Sequence, residues 1–116
     1  MSIDFICSNP QTLLNKFNKA IEQDEPKGKI TTWVRSKDKK YYTHKADEWN
    51  SKAWFEPLVR NGVLTFCIIK PKNAAISRVA YAYYHGHLTE TFLSHFDEDF
   101  TSSSSTAMPT SDDNVG

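Results

Sequence analysis

Cysteine is scarce in this 116-residue chain. Cys7 and Cys67 stand sixty positions apart with no CxxC spacing, so neither a disulfide framework nor a thiolate zinc site is expected. Glycine is nearly as rare, and the four residues at 28, 62, 86 and 116 are too dispersed for a loop that cradles phosphate. No run approaches the roughly 18 apolar residues of a membrane span. Met1 to Ser8 lacks both the basic and the apolar region of a secretory leader, so the expected location is the cytoplasm. Charge of one sign is missing as well: 14 basic side chains balance 14 acidic ones, and any nucleic-acid or membrane partner must be argued from local features.

The composition that remains, 39% hydrophobic, 13% aromatic and 24% charged, is that of one ordinary globular domain. Residues 101–116 read TSSSSTAMPTSDDNVG, with almost nothing to bury, and are expected to be a disordered tail behind a single domain over 1–100. Near the start, Ser8 or Asn9 can cap a helix with Pro10 in its first turn and an apolar stripe of Leu13, Leu14, Phe17, Ala20 and Ile21. Ile30 to Arg35 and Lys40 to His44, with a polar turn between, read as a hairpin. Asp47 to Pro57 reads as a short helix or packed loop, and Val63 to Lys70 as a central strand. Ala75 to Tyr84 can be a further strand, followed after Gly86 by a helix carrying Leu88, Phe92, Leu93 and Phe96. The rival is one helix from Ile76 to Phe96, which Gly86 opposes by only about 1 kcal/mol. Strand then helix is preferred, giving an α+β fold: an antiparallel sheet of about four strands with two helices packed on one face.

Tyr42-Thr43-His44, Trp49, Ala53-Trp54, Pro57, Tyr84-His85-Gly86, Glu90, Leu93 and His95-Phe96 form a diffuse pattern over Ile30 to Phe100. In it the chain resembles a group of small uncharacterised bacterial proteins. The resemblance implies a bacterial source and imports no activity.

The balanced charge conceals a basic middle. Residues 1–26 carry two more acidic than basic side chains, 27–72 seven more basic, and 73–116 five more acidic. Arg35, Lys37, Lys39 and Lys40 stand beside Tyr42 and near Trp49, a combination able to neutralise phosphates and stack on unpaired bases, although no established nucleic-acid motif accompanies it. The bland alternative is a hairpin kept soluble by lysines, with its rings in the core.

His85 and His87 would point to one side of a strand and could direct two imidazoles at zinc or iron, with Glu90 as a third ligand. His95, about 12 Å further along a helix, could not join them. Histidines used in structure or at the surface are the commoner case, so no metal or other cofactor is expected. A metal-dependent enzyme is the third functional class. Hydrolase chemistry has little support: Ser94 merely adjoins His95, no G-x-S-x-G turn exists, and Cys67 lies in an apolar strand.

Three Trp, five Tyr and seven Phe are more than so small a domain is expected to cover. Trp49, Trp54, Tyr81, Tyr83, His85 and His87 are therefore the first candidates for a recognition surface. The reading is a non-enzymatic binding or interaction module, for an unknown protein partner or as a homodimer. A nucleic-acid-binding domain is the alternative.

Overall fold

A computed structural model describes residues 2–116. Eight elements follow one another: β1 (Ser2–Ile6), α1 (Pro10–Glu22), β2 (Trp33–Arg35), β3 (Tyr42–His44), β4 (Trp54–Arg60), β5 (Val63–Ile69), α2 (Arg78–Phe96) and β6 (Ser102–Ser105). The strands form one six-stranded sheet in the order β2-β3-β4-β5-β1-β6, every neighbouring pair antiparallel. The α+β class, the two helices and the antiparallel sheet are as expected; the sheet has six strands rather than four.

Alternation along the strands sorts their side chains. Ile3 and Phe5 of β1, Phe55 of β4, and Leu64, Phe66 and Ile68 of β5 all enter the core. Phe66 meets the rings of Phe17 from α1 and Phe92 from α2, so both helices cover the same face of the sheet. α1 begins at Asn9 with Pro10 in its first turn and buries Leu13, Leu14, Phe17 and Ala20, the stripe its 3–4 spacing predicts.

The segment from 75 to 84 corrects the expected strand. Ser77 caps a helix, its hydroxyl accepting from the Ala80 N–H at 3.1 Å, and α2 then runs nineteen residues through Gly86. Tyr81, Tyr84, His85, Leu88 and Phe92 face inward at spacings of three and four. Exposed Val79 and Leu93 add apolar residues on the outer side, which blurs the helical period and lets the Tyr81–Tyr83 alternation pass for a strand.

β4 occupies part of the stretch read as helix or loop. Pro57 lies within β4, which meets β3 only at Tyr42↔Phe55. Beyond Phe55 that side of β4 is unpaired, where a proline is tolerated.

The final segment is not the disordered tail expected of its composition. β6 lies antiparallel to β1 in the register Ile6↔Ser102 to Ile3↔Ser105, and Asn114 then bridges Ile69 in parallel. The Asp113 carboxylate accepts from the Ile68 N–H at 2.8 Å and the Thr110 N–H at 2.7 Å. Burial pushes this carboxyl up, but hydrogen bonds, those of Thr110 and Ile68 included, outweigh it and hold the group below its ordinary value.

Candidate binding site

Helical geometry separates the residues proposed for one recognition face. Positions two apart on a helix differ by about 200°, so Tyr81 and His85 do not share a face with Tyr83 and His87. Tyr81 and His85 are buried. The His85 Nδ1–H donates to the Tyr81 carbonyl at 2.6 Å, and the His85 ring lies edge-on to Phe55. The Tyr81 hydroxyl is buried without a hydrogen-bond partner among the described residues, and burial pushes its pKa up to about 12. His85 and His87 therefore cannot direct imidazoles at one ion. Among the described residues, no group of three His, Cys, Asp or Glu is placed to hold a metal.

Tyr83, His87 and Trp49 do come together, joined by His44. Trp49 stacks on Tyr83 with centroids 4.2 Å apart and planes 12° from parallel. The His44 Nε2 lies 2.5 Å from the His87 Nδ1. The Tyr84 hydroxyl donates to the Trp49 carbonyl, fastening the 45–53 loop to α2. Among the described residues these rings are partners to one another.

The basic hairpin is likewise committed. Tyr42 is buried against Phe17, its hydroxyl bonds Asn18, and burial pushes its pKa up to about 12. Its ring is not available to stack on a base. Arg35 and Lys39 both reach Glu22 of α1, at 2.6 and 3.4 Å, and the Arg35 hydrogen bond holds the Glu22 carboxyl below its usual range. Of the predicted phosphate-binding set only Lys37 and Lys40 remain exposed and outside an ion pair among the described residues.

The other face of the sheet carries no helix. By strand register Trp54, Glu56, Leu58 and Arg60 share it with Ile69, Cys67, Thr65 and Val63, and with Ser2 and Asp4. The tail crosses part of it: Ser2 Oγ is 2.8 Å from Thr110 Oγ1, and Arg60 pairs with Asp112 at 2.8 Å. Cys67 beneath is fully buried, and desolvation pushes its thiol up to about 11.

At the end of β5, where the Asn114 carbonyl of the tail accepts from the Lys70 N–H at 2.6 Å, Trp54 helps form a cleft of about 380 Å³ with Ser36, Tyr41, Ile69, Lys70, Pro71 and Lys72. Trp33 and Trp49 each contact other rings, whereas neither Trp54 nor Tyr41 has an aromatic neighbour among the described residues. Two lysines line this cleft and no carboxylate does. Aromatic surface and positive charge outside any ion pair among the described residues coincide here.

No family model matches the chain, and no curated protein or solved structure is significantly similar to it.

Trp54, one of the aromatics singled out in the sequence, is half-buried and lines this cleft. Tyr41, Ile69, Lys70 and Lys72 were not singled out. Their signal was the alternation itself: Phe66 and Ile68 face the helices, so Cys67 and Ile69 must face away, and the Lys-Pro-Lys run then follows directly on the outward Ile69.

Proposed function

We propose that the protein is a small non-enzymatic binding module and that the Trp54 cleft is its recognition site. The observation carrying this reading is that Trp54 and Tyr41 are left without aromatic partners in a cleft lined by Lys70 and Lys72. Small-molecule sites are concave and mostly apolar with a few placed polar groups, and this corner has that make-up. Support for a non-enzymatic role comes from how the reactive groups are spent. His44 and His87 bond each other, Thr43 bonds the Ala53 carbonyl and Tyr84, and both thiols are buried with raised pKa values, which makes them poor nucleophiles.

Titration with 8-anilinonaphthalene-1-sulfonate, an aromatic anion that fluoresces when taken from water, tests the reading. Saturable one-to-one binding to the folded protein is expected, weakened at least about tenfold by Trp54→Ala with the far-ultraviolet dichroism unchanged. Binding that does not saturate, or that ignores the substitution, overturns it.

A further inference from the structure

Resting on the reading of the Trp54 cleft as the binding site, we infer that its ligand is a free nucleoside monophosphate, the base lying against Trp54 and Tyr41 and the phosphate held by Lys70 and Lys72. Ring, charge, room and surroundings each bear on this.

A flat heteroaromatic ring can stack on the open part of an indole or phenol, and Trp54 and Tyr41 are half-buried with no aromatic neighbour among the described residues. The Trp54 indole N–H and the Tyr41 hydroxyl have no hydrogen-bond partner among the described residues, so neither ring is tied to another part of the protein. Lys70 and Lys72 flank Pro71 immediately after β5, and both line the cleft. Neither is in an ion pair among the described residues. Two lysines lining one cleft match a phosphate monoester, which carries a charge of about −1.5 to −2 at neutral pH, better than a single carboxylate.

Among the described residues no carboxylate side chain lines the cleft, and the nearby Asp38 keeps its charge but is turned onto its own loop. The carboxylate of Asp38, in the adjoining turn, is engaged by the Ser36 hydroxyl at 2.6 Å and the Lys40 N–H at 3.1 Å. Further along the same face the situation reverses: Glu56 follows Trp54 on β4, and Asp4 lies beyond it on β1. Those carboxylates would repel the successive phosphates of a strand. A volume of about 380 Å³ suits a single nucleotide, being near the lower end of the usual range for small-molecule sites. Charge and room together favour the free nucleotide over a nucleotide within a chain.

The test is a ¹H–¹⁵N NMR titration of the full chain with adenosine 5′-monophosphate, adenosine and a ten-residue oligodeoxyadenylate. The monophosphate is expected to shift the Trp54 indole signal and the Lys70 and Lys72 amides in a saturable manner. Adenosine should bind at least about tenfold more weakly, as should the monophosphate to the double variant K70E/K72E. If the monophosphate leaves the Trp54 indole unmoved while anilinonaphthalene sulfonate still binds there, the nucleotide inference fails and the cleft survives as the site. If neither binds, both fail. Equal affinity for adenosine overturns the role of the lysines. Tighter, steeply salt-dependent binding of the oligonucleotide overturns the free nucleotide in favour of a strand.

Discussion

The His44 Nε2 and the His87 Nδ1 share a hydrogen bond of 2.5 Å, and the second nitrogen of His44 accepts from the Ala46 N–H at 3.2 Å. An acceptor at Nδ1 carries no proton, so the neutral His44 ring bears its proton on Nε2 and donates it to His87. The remaining His87 proton then sits on its Nε2. Protonation of either ring breaks this chain. Burial first, and the His87 charge second, hold His44 below its ordinary value of 6.5.

A depressed histidine favours the folded state above its unfolded pKa, and that advantage is lost as pH falls from about 6.5 toward the folded value. Folding stability measured by urea denaturation should therefore drop between pH 7.5 and pH 5.5. Each unit by which the His44 midpoint is displaced corresponds to about 1.4 kcal/mol. An NMR titration of the imidazole signals should place the midpoint below 6.5. In His87→Ala it should rise part of the way back, because burial remains when the neighbouring charge is removed. A His44 midpoint at or above 6.5 in the intact protein contradicts this account.

Gly86 lies in the middle of α2, exposed, with no atom within 4 Å of where a Cβ would stand. Gly86→Ala should stabilise the protein by about 0.5–1 kcal/mol, since alanine loses less backbone entropy in a helix and meets no clash. Gly62 is the counter-case: it turns the chain between β4 and β5 at φ +76°, a conformation that strains any side chain. Gly62→Ala should destabilise by about 1 kcal/mol. A Gly86→Ala midpoint that falls, as that of Gly62→Ala should, would refute the assignment of one continuous helix across Gly86.

Asp113 pins the 110–114 segment to Ile68, near the end of β5. Asp113→Ala removes acceptors for the Ile68 and Thr110 amides, and should cost about 1.5–3 kcal/mol as for other charge-assisted hydrogen bonds. The Ile68 amide should lose most of its protection against hydrogen exchange while the Phe66 amide, deeper in the sheet, keeps more of its own. The carboxyl is held low, so its contribution is present above the unfolded carboxylate pKa and is lost as pH falls through the folded value. An Asp113→Ala variant with unchanged Ile68 exchange would show that the segment is held by other means.

Much of the fold was readable along the chain. The stripe of α1, the hairpin at Trp33–Arg35 and Tyr42–His44, and the apolar run of β5 each carry their periodicity within a few residues. β1 was readable in principle, since Ile3 and Phe5 alternate inward, but five residues give little pattern to weigh. The candidate site was less legible. Trp54 could be named as an aromatic with too little core to cover it, whereas Trp49 and Tyr83 looked identical on that criterion and prove to stack on each other. Lys39 and Arg35 looked like free charges and are neutralised by Glu22, seventeen and thirteen positions away.

What the sequence determined by itself is local: where apolar residues recur at helical or strand spacing, which residues cap or turn the chain, and how charge divides along it. Tertiary structure decided the rest. It settled α2 as one helix, because the side chains of Tyr84, Leu88 and Phe92 find the sheet only when Gly86 continues the turn. It made a strand of four serines, because β1 offers an unpaired edge whose backbone groups need partners whatever the side chains are. It chose which aromatics are covered, since covering depends on segments distant in sequence arriving at the same place, a condition no run of neighbouring residues encodes.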